Sequence, residues 1–559
     1  MQDASSEPHP VASRPSESHA PRPLARWLAA HRRTAGLLAA LASALLLVLA
    51  FPTTELGPLA LIAFGPVLVA MRTRTRWQRF RIGWLLGFAV ELALFRWIPF
   101  TMTEMTSISG PVTWLMAAAY AGWHGLRFAV FLMLAEPVRR VVATRAWWLS
   151  PVAVAILYVV VEWLWPTIFP WALGHALWEA PGAGALLALQ GVPLLTFVVA
   201  LVNAGLAESW MGRRVPGRRV PIGAFGALLI VFVPALALAP SEGDETLRVA
   251  IIQPNFTLAE KKKATMETRQ VLLARIEAQI RALPRDTYDL VLASEGSFPM
   301  WWRLDADTTS ELTTMTEATR RIQRAVAEGP HSHTIIGGLR QDDQKHSRNS
   351  AVHLGPDGKI LGHYDKKTLV PFSEYMPFVD LIPALGDIRG VGNVLPGDKP
   401  CAFEVPPTPG RAGGDAGGAR VGPVQVACGI CYESMFADLT RADAGHAEVI
   451  VNLTIDTWFG SSTAPRMHLM TQASRAAELG IPLLRSALTG ISAYIDVHGQ
   501  VVAALPVDVP GVLAAKVALS RDTTAFRAVG QLFAPLGTAF VVLVLIDAFV
   551  RRRTLWGAA

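Results

Sequence analysis

Residues 421–434, VGPVQVACGICYES, join a short apolar run to a cysteine and a glutamate two positions apart, Cys431 and Glu433. Such a run, bounded by Gly and Pro, is typical of a buried strand. The whole chain has three cysteines in 559 residues, and another of them, Cys428, lies three positions before Cys431. Cys431 could be core filler, half of a Cys-Gly-Ile-Cys redox pair, or a nucleophile, and the choice depends on the compartment of the segment.

Composition indicates a membrane protein with one large polar domain. Hydrophobic residues make up 52% of the chain and charged residues 17%, whereas soluble domains carry about 25% charged residues. The apolar excess lies before residue 240 and at the C-terminus, and residues 246–520 have globular composition. The net charge of +7 does not predict a nucleic-acid partner, because the arginines cluster beside apolar segments. Three cysteines cannot form a disulfide framework.

Apolar windows close to the ~20 residues that cross a bilayer recur along the chain. They cover residues 34–52, 56–71, 82–100, 111–135, 147–165, 184–206, 220–240 and 528–550. The second window is short enough to be a re-entrant arm. The sequence therefore predicts seven or eight spans, and eight sorts the loop charges better.

The loops between these windows differ in charge. Arginine-rich segments at 72–81, 136–146, 213–219 and 551–553 fall on one side with the N-terminal tail, and PTTELG, TMTEMTSISG and PTIFPWALGHALWEAPGAG on the other side contain no Lys or Arg. By the positive-inside rule both termini are cytoplasmic. The expected organisation is a disordered cytoplasmic tail (1–33), a membrane bundle of about seven spans (34–240), an extracytoplasmic domain (246–520) and a final transmembrane helix (528–550).

Strand and helix patterns alternate within residues 246–520. Strands are predicted at 247–253, 289–296, 333–341, 349–366 (two, around Pro-Asp-Gly), 423–434, 447–455 and in a closing hairpin around His-Gly-Gln, with helices at 259–283, 307–328 and 464–479. A Gly-rich insertion at 406–422 is expected to loop out. This order predicts two packed sheets with helices outside them, an α/β layered domain.

Three predicted strands lead into residues that chemistry can use: Glu295, Lys366 and Cys431. Each has an ordinary structural alternative, namely a surface carboxylate, a solvated lysine and a core cysteine. Together they form a more informative set, because a thiol needs a base and a developing oxyanion needs a cation.

Three motifs carry a resemblance. SEGSFP (294–299), HYDKKTLVPFSEYMP (363–377) and GICYES (429–434), in this order, resemble the Glu-Lys-Cys motifs of the nitrilase superfamily. The membrane frame, KKTLVPFSEYMPF and NLTIDTWFG (452–460) narrow the resemblance to the apolipoprotein N-acyltransferase family, over nearly all of residues 34–550. It implies an α-β-β-α sandwich held in the periplasm by a multi-pass bundle in a bacterial inner membrane. The segment TLAEKKK (257–263) departs from the family by lacking a tryptophan, which puts the lipid contacts of that loop in doubt.

The resemblance also implies an activity. Cys431 would take an acyl chain from a membrane phospholipid as a thioester, and the free α-amine of a diacylglyceryl-cysteine at the N-terminus of an apolipoprotein would then accept it. Glu295 would be the general base and Lys366 the oxyanion stabiliser. Phospholipid, apolipoprotein and the bilayer are the expected partners of a monomer. Neither a cofactor nor a metal is expected, because two cysteines without a nearby His-x-His fall short of a zinc site.

Further residues follow from the same motifs. Strand alternation turns adjacent side chains to opposite faces, so only Lys366 or Lys367 can enter the site, and the family spacing to Glu374 selects Lys366. Residues expected to support the site or bind substrate are Glu374, Tyr432, Glu433, Asn349 and Trp458. Their structural alternative is hydrogen bonding without a chemical role.

Several other features need an interpretation. A redox role for Cys428 is disfavoured, because the Cys-Gly-Ile-Cys pair lies at a strand and does not open a helix; Cys428 and Cys401 are interpreted as structural. The ionisable residues within the spans are expected to pair with one another more than to act chemically: Glu91, Arg96, His124, Arg127 and Glu162. The apolar segments 298–302, 377–383 and 457–460 are interpreted as exposed loops at a mouth facing the bilayer.

Two rival functions stay open on sequence grounds. The first is a membrane-tethered nitrilase-type amide hydrolase, in which water is the acceptor; the apolar loops and the large bundle disfavour it, because a tether needs one span. The second is a transporter or scaffold with a periplasmic binding domain, which the ordered Glu-Lys-Cys set disfavours.

Overall fold

The chain forms a helical bundle followed by a two-sheet domain. The computed structural model describes residues 32–51, 55–211, 220–263, 265–309, 313–342, 344–388, 392–406, 422–460 and 462–550. Positions 1–31 of the predicted disordered tail lie outside the described residues. Most of the Gly-rich insertion and the arginine segments 213–219 and 551–553 also lie outside them.

Helices dominate the first 240 residues and return at the C-terminus. In the bundle they are α1 (Arg32–Ala50), α2 (Ala60–Ala63), α3 (Gly65–Met71), α4 (Arg76–Leu94), α5 (Ile98–Met105), α6 (Gly110–Ala146), α7 (Ser150–Leu164), α8 (Ala183–Gln190), α9 (Val192–Met211) and α10 (Val220–Ala237). Thr75 begins α4 with a capping box, its hydroxyl accepting from the backbone N–H of Gln78.

Some of these helices are long enough to cross a membrane. Among the described residues, Gly110–Leu164, Val192–Trp210 and Phe533–Val550 are long and apolar enough to cross a membrane, and a fourth candidate is the pair Arg76–Leu94 and Ile98–Met105, bent by 50°. Thr34–Ala50, Gly57–Met71 and Leu228–Ala237 are shorter apolar helices. The total of eight spans therefore stays a prediction.

Two predicted boundaries in the bundle differ from the structure. The 136–146 segment is not a loop, because α6 continues through it to Ala146. The predicted 184–206 window is broken at Gly191, whose φ of 71° separates α8 from α9. Uniformly apolar sequence hides such breaks, because the periodic signal is the same on both sides of them.

Three arginines of the bundle gather around Glu136 and Glu208 at one end. Arg139 and Arg140 both bind Glu136 at 2.7 Å, and Arg72 and Arg139 contact Glu208. At the other end the loops without Lys or Arg contact the two-sheet domain: the hydroxyl of Thr101 donates to the carbonyl of Trp458 at 3.0 Å, and the hydroxyl of Tyr432 donates to the carbonyl of Ile168.

The two-sheet domain contains two six-stranded sheets. The strands are β1 (Thr246–Gln253), β2 (Leu290–Trp302), β3 (His333–Gln341), β4 (Ser347–Leu354), β5 (Ile360–Asp365), β6 (Phe403–Val405), β7 (Val424–Ile430), β8 (Val449–Thr454), β9 (Leu483–Ala487), β10 (Ser492–Ile495), β11 (Val501–Leu505) and β12 (Gly511–Ala518). Their orders are β12-β1-β2-β3-β4-β5 and β11-β10-β9-β8-β7-β6. Each sheet has three parallel central strands, β1-β2-β3 and β7-β8-β9.

The remaining helices are α11 (Leu258–Lys263), α12 (Met266–Arg281), α13 (Thr314–Glu328), α14 (Ala437–Ala444), α15 (Ala464–Leu479), α16 (Ala525–Val529) and α17 (Phe533–Val550). Of these, α17 packs against α7 of the bundle. One core fills the space between the sheets, and a second joins the first sheet to α12 and α13. The third core is continuous from α15 into the bundle, since Met470 and Leu479 share it with Leu187 and Phe197.

This architecture confirms the predicted α-β-β-α sandwich. The structure also gives β6 and β12, which the sequence analysis missed; β12 pairs antiparallel with β1 and its small residues give a weak strand signal. The interpretation of residues 298–302 as an exposed loop is wrong. They belong to β2, and Phe298, Met300 and Trp302 are buried in the core beneath α12 and α13.

Candidate active site

Cys431 lies at the carboxyl end of β7, on a sharp turn. Its φ of 53° is in the left-handed region, which is strained for a residue with a side chain. Three donors hold its carbonyl oxygen: the hydroxyl of Ser434 at 3.1 Å, Nδ2 of Asn452 at 3.3 Å and Nε2 of His468 at 3.2 Å. The turn therefore fixes the thiol at the edge of the second sheet, where it is partly exposed.

Glu295 faces this thiol from the first sheet. The predicted strand end at 296 is not observed, because β2 runs on to Trp302; its pairing with β3 is instead interrupted between Ala293 and Phe298. Gly296, with a φ of 68°, lies within this irregular stretch. The Glu295 carboxylate lies beside the Cys431 thiol on the wall of the same cavity, and its Oε2 accepts from the backbone N–H of Ile455 at 3.0 Å.

Lys366 follows β5 directly and points into the same space. Its Nζ lies 2.8 Å from Oε2 of Glu374 and 3.8 Å from Oε1 of Glu295. Asn349 on β4 bridges the two carboxylates, because its Nδ2 donates to Glu295 at 2.6 Å and to Glu374 at 2.9 Å. The backbone N–H of Val370 donates to Glu374 at 2.9 Å. The ammonium is thus held between two oriented carboxylates.

Burial and charge set the protonation of this cluster. Burial raises the pKa of Cys431 to about 12, and the Glu295 carboxylate adds to the rise, so the resting thiol is neutral. Burial also raises the pKa of Glu295, against the opposing charge of Lys366. Burial alone would lower the pKa of Lys366, but the Glu374 and Glu295 carboxylates outweigh it and raise this pKa, so the amine stays charged.

Glu433 ties the lysine segment to the cysteine turn. Its Oε1 accepts from the hydroxyl of Tyr364 at 2.9 Å and from the backbone N–H groups of Lys367 and Thr368 at 2.7 and 3.1 Å. Its Oε2 accepts from the backbone N–H of Ile430 at 2.7 Å. A single carboxylate therefore fixes the backbone on both sides of the site.

The two adjacent lysines point to different places. Lys366 is 1% exposed and lies between the carboxylates, whereas Nζ of Lys367 pairs with Asp443 at the edge of α14. The side-chain alternation expected beyond β5 is therefore present in the geometry.

A buried polar network behind the cysteine turn was missed by sequence reasoning. Arg485 and Asp456, both fully buried, are paired at 2.8 Å, and His468 lies 3.2 Å from Asp456 and 3.1 Å from Arg485. The pairing with Arg485 lowers the pKa of Asp456 to about 2 although burial opposes it. Polar residues within the otherwise buried pattern of β9 and α15 were the available signal.

A cavity of about 490 Å³ opens in front of the cluster. Glu295, Lys366 and Cys431 line one side, and aromatic and sulfur side chains from the bundle line the other: Phe95, Trp97, Met102, Met105, Tyr120 and Phe169. Tyr432 lies edge-on to Phe169 with ring centroids 6.0 Å apart, and Trp458 lines the wall beside α5. The cavity therefore joins a polar reactive cluster to an apolar bundle surface.

The two other segments interpreted as exposed apolar loops, 377–383 and 457–460, differ from each other in exposure. Phe378 and Leu381 are 67% and 77% exposed, on the loop that also carries Glu374. Trp458 and Phe459 are partly buried against the cavity. Within the residues that the structure describes, no group of three or more His, Cys, Asp or Glu side chains has the geometry of a metal site.

The two-sheet domain brings a thiol, a carboxylate and an ammonium together at facing strand edges, and the model of the family "Carbon-nitrogen hydrolase" matches residues 248–525. The model "Apolipoprotein N-acyltransferase N-terminal domain" matches residues 43–205. The chain belongs to the apolipoprotein N-acyltransferase family.

Relatives extend over nearly the whole chain. The apolipoprotein N-acyltransferase of Gloeobacter violaceus is 30% identical, covering 92% of this chain and 94% of its own length, and that of Geobacter metallireducens is 28% identical, covering 92% and 95%. Among solved structures, an amidase from Nesterenkonia sp. AN1 aligns with a TM-score of 0.35 and 18% identity, covering 50% of this chain and 93% of the amidase.

Proposed function

We propose that this protein transfers an acyl chain from a membrane phospholipid to the free α-amine of the diacylglyceryl-cysteine of apolipoproteins, through a thioester on Cys431. The observation that carries the proposal is the cavity in front of Cys431, whose second wall is an apolar bundle surface. Such a wall suits acyl chains, because their transfer from water to an apolar surface is favourable by about 0.8 kcal/mol per CH₂.

In the first half-reaction Cys431 attacks the ester carbonyl of the phospholipid. Glu295 takes the thiol proton as the C–S bond forms. A base is needed because the raised pKa of Cys431 keeps its thiol neutral before the attack. Lys366 stabilises the oxyanion of the tetrahedral intermediate. As the C–O bond breaks, Glu295 returns the proton to the leaving alkoxide, and a lysophospholipid departs.

In the second half-reaction the acceptor amine attacks the thioester. Glu295 takes a proton from the amine, Lys366 again faces the oxyanion, and collapse forms the amide and releases the thiolate, which recovers the proton. Glu374, Asn349 and Glu433 act as positioning residues. Glu374 binds Lys366 and Asn349 donates to Glu295, whereas Glu433 accepts from the backbone N–H groups of Lys367 and Ile430, next to Lys366 and Cys431. Tyr432 and Trp458 shape the path of the lipid.

The same proposal assigns a topology. The two-sheet domain would lie in the periplasm of the inner membrane, with eight spans and both termini in the cytoplasm, and the protein would act as a monomer. Support comes from the gathering of Arg72, Arg139 and Arg140 at the bundle end remote from the domain contacts of Thr101 and Ile168.

The test is a two-step reaction with purified protein in vesicles. Phospholipid with an isotope-labelled acyl chain is supplied first, and intact-protein mass spectrometry should find that chain on Cys431 and not in a Cys431→Ala control. A diacylglyceryl-cysteine peptide is then added and should receive the label as an amide. Release of the label as free fatty acid at the same rate with and without the peptide would instead establish the hydrolase.

A further inference from the structure

Cys401 lies two residues before β6, and Cys428 lies on the neighbouring strand β7. The antiparallel register of β6 and β7 pairs Val405 with Val424 and Phe403 with Val426. If this register is extended by two residues, before Phe403 on one side and after Val426 on the other, Cys401 comes to lie opposite Cys428. Both side chains belong to the core between the sheets and are 8% and 2% exposed, so they point to the same face.

The two thiols are neighbours in this core. Sγ of Cys401 donates to the carbonyl of Val426, two residues before Cys428, at 3.6 Å, and the neighbouring Cys401 together with burial raises the pKa of the Cys428 thiol. Directly opposed residues on antiparallel strands have Cα atoms about 4.5–5.5 Å apart. This range lies within the about 4.4–6.8 Å that a disulfide spans, so the cross-link needs side-chain rotation and no large backbone movement.

We propose that Cys401 and Cys428 form a disulfide in the mature protein, leaving Cys431 as the free thiol among the three cysteines of the chain. This inference rests on the proposed extracytoplasmic position of the domain, since disulfides persist in oxidising compartments. The cross-link joins β6 to β7, the strand that carries the nucleophile.

The chemistry needs a disulfide-bearing thiol oxidant of that compartment. One cysteine thiolate attacks the oxidant's disulfide and forms a mixed disulfide, and the second cysteine then displaces the oxidant as a thiol. Two thiols lose two protons and two electrons, and the oxidant's disulfide becomes a dithiol. Because both cysteines are buried in the finished core, this exchange takes place while β6 and β7 are still accessible during folding.

The pairing also protects the active thiol. In an oxidising compartment three cysteines allow three alternative pairings, and two of these consume Cys431. Cys428, three residues away in sequence, is its nearest partner. The register of β6 and β7 selects the remaining pairing, which keeps the nucleophile reduced.

Differential alkylation of the wild-type protein tests the inference. Intact membranes are quenched with acid, and the protein is denatured, alkylated with one reagent, reduced, and alkylated with a second reagent of different mass. Peptide mapping should find only the second label on Cys401 and Cys428, and no second label on Cys431. The first label on both residues, or a disulfide containing Cys431, would overturn the proposal.

Two further measurements separate this outcome from its premise and from misfolding. A reporter fused after residue 245 gives the position of the domain. A periplasmic readout together with free Cys401 and Cys428 would contradict the disulfide and leave the proposed position of the domain intact. In a Cys401→Ala variant, Cys428 should gain the first label. A reductant should lower the Tm of the wild type and leave that of Cys401→Ala/Cys428→Ala unchanged; equal shifts in the two proteins would contradict the cross-link.

Discussion

Among the buried ion pairs of the described residues, one lies inside the bundle and another lies at the candidate active site of the two-sheet domain. Arg127 and Glu91, 2% and 0% exposed, are joined at 2.8 Å inside the bundle. Trp171 contacts both members of this pair: its Nε1 donates to Glu91 at 3.2 Å, and the Arg127 guanidinium lies 4.2 Å from its ring centroid. Lys366 and Glu374 are joined at the same distance of 2.8 Å, yet their surroundings differ.

The difference lies in what else each pair contacts. The Lys366 ammonium has a second carboxylate, Glu295, at the longer distance of 3.8 Å, and that carboxylate shares the cavity wall with the Cys431 thiol. The Arg127 pair has the aromatic rings of Trp171 and Phe128 as neighbours. A buried ion pair alone is therefore weak evidence for a reactive site. The feature that distinguishes the Lys366 pair is the Cys431 thiol on the same cavity wall.

The nucleophile gives the largest expected effect. We expect Cys431→Ala to abolish acyl transfer with the fold intact, because no other group can carry the thioester. Cys431→Ser should be nearly inactive, since a hydroxyl is much harder to deprotonate beside the same Glu295. Acyl transfer to a diacylglyceryl peptide is the measurement. Cys428→Ala is the control and should keep most activity; equal loss in both alanine variants would mean that the nucleophile is misassigned.

The lysine pair tests the domain half of the comparison. Lys366→Ala should slow formation of the thioester by about 3 kcal/mol in activation free energy, or roughly a hundredfold, because the oxyanion loses its cation. Lys367→Ala is the matched control and should do little, since its side chain pairs with Asp443. The rate of acylation of Cys431, followed by intact-protein mass spectrometry, is the readout. Normal acylation in Lys366→Ala would remove this lysine from the mechanism.

The bundle pair should behave in the opposite way. Arg127→Met leaves the Glu91 carboxylate buried without its cation, which should destabilise the folded protein by about 3–5 kcal/mol. The double variant Arg127→Met/Glu91→Gln removes both charges and should recover most of the Tm measured in detergent. In the folded fraction of either variant, Cys431 should still be acylated. Loss of acylation in a stable double variant would give the bundle pair a chemical role.

The acid limb of the pH profile depends on Glu295. Its pKa is raised, so activity should fall on acidification at a higher pH than for an ordinary glutamate. Glu374→Gln removes a carboxylate that contributes to this rise, so the acid limb of the acylation rate should move to lower pH while the maximal rate falls. An acid limb at higher pH in this variant would be inconsistent with the charges described.

The cavity wall should give the smallest effect. Trp458→Ala removes a partly buried ring, while the backbone contact from Thr101 to residue 458 remains. A loss of about 1 kcal/mol, roughly fivefold, is expected on phospholipid substrates. Alkylation of Cys431 by a small reagent should keep its wild-type rate. A slower alkylation would indicate that Trp458 positions the thiol and not the lipid.

Much of the domain could be predicted from the sequence, because its strands are apolar runs separated by turn signals. The hairpin around Pro-Asp-Gly and the helix at 464–479 lie where the pattern put them. The pattern failed at 298–302, where aromatic residues in FPMWW were interpreted as lipid-facing. Apolar residues look alike in a lipid-facing loop and in a core, and only the packing of α12 and α13 distinguishes the two.

Sequence reasoning could name several residues of the site but not all of the contacts between them. Strand alternation, which is a local rule, predicted that only Lys366 or Lys367 enters the site, and the resemblance to the family, through the spacing to Glu374, selected Lys366. Asn349 could be named, but its bridge between Glu295 and Glu374 depends on the pairing of β3 with β4 and on the loop after β5. Asp456, His468 and Arg485 come from three successive segments, the turn after β8, α15 and β9, and their meeting depends on how α15 packs on the sheet, which no local rule predicts.

Helix α15 has a practical consequence for anyone who wants the two-sheet domain alone. One side of this helix covers the second sheet and the other packs into the bundle, where Glu478 accepts from the backbone N–H of Val192 at 3.1 Å. A fragment cut before residue 246 would present that second side to water as a continuous apolar strip, which promotes aggregation. The enzyme is therefore best handled as one inseparable unit in detergent or nanodiscs, and soluble expression of the fragment requires redesign of the bundle-facing positions of α15.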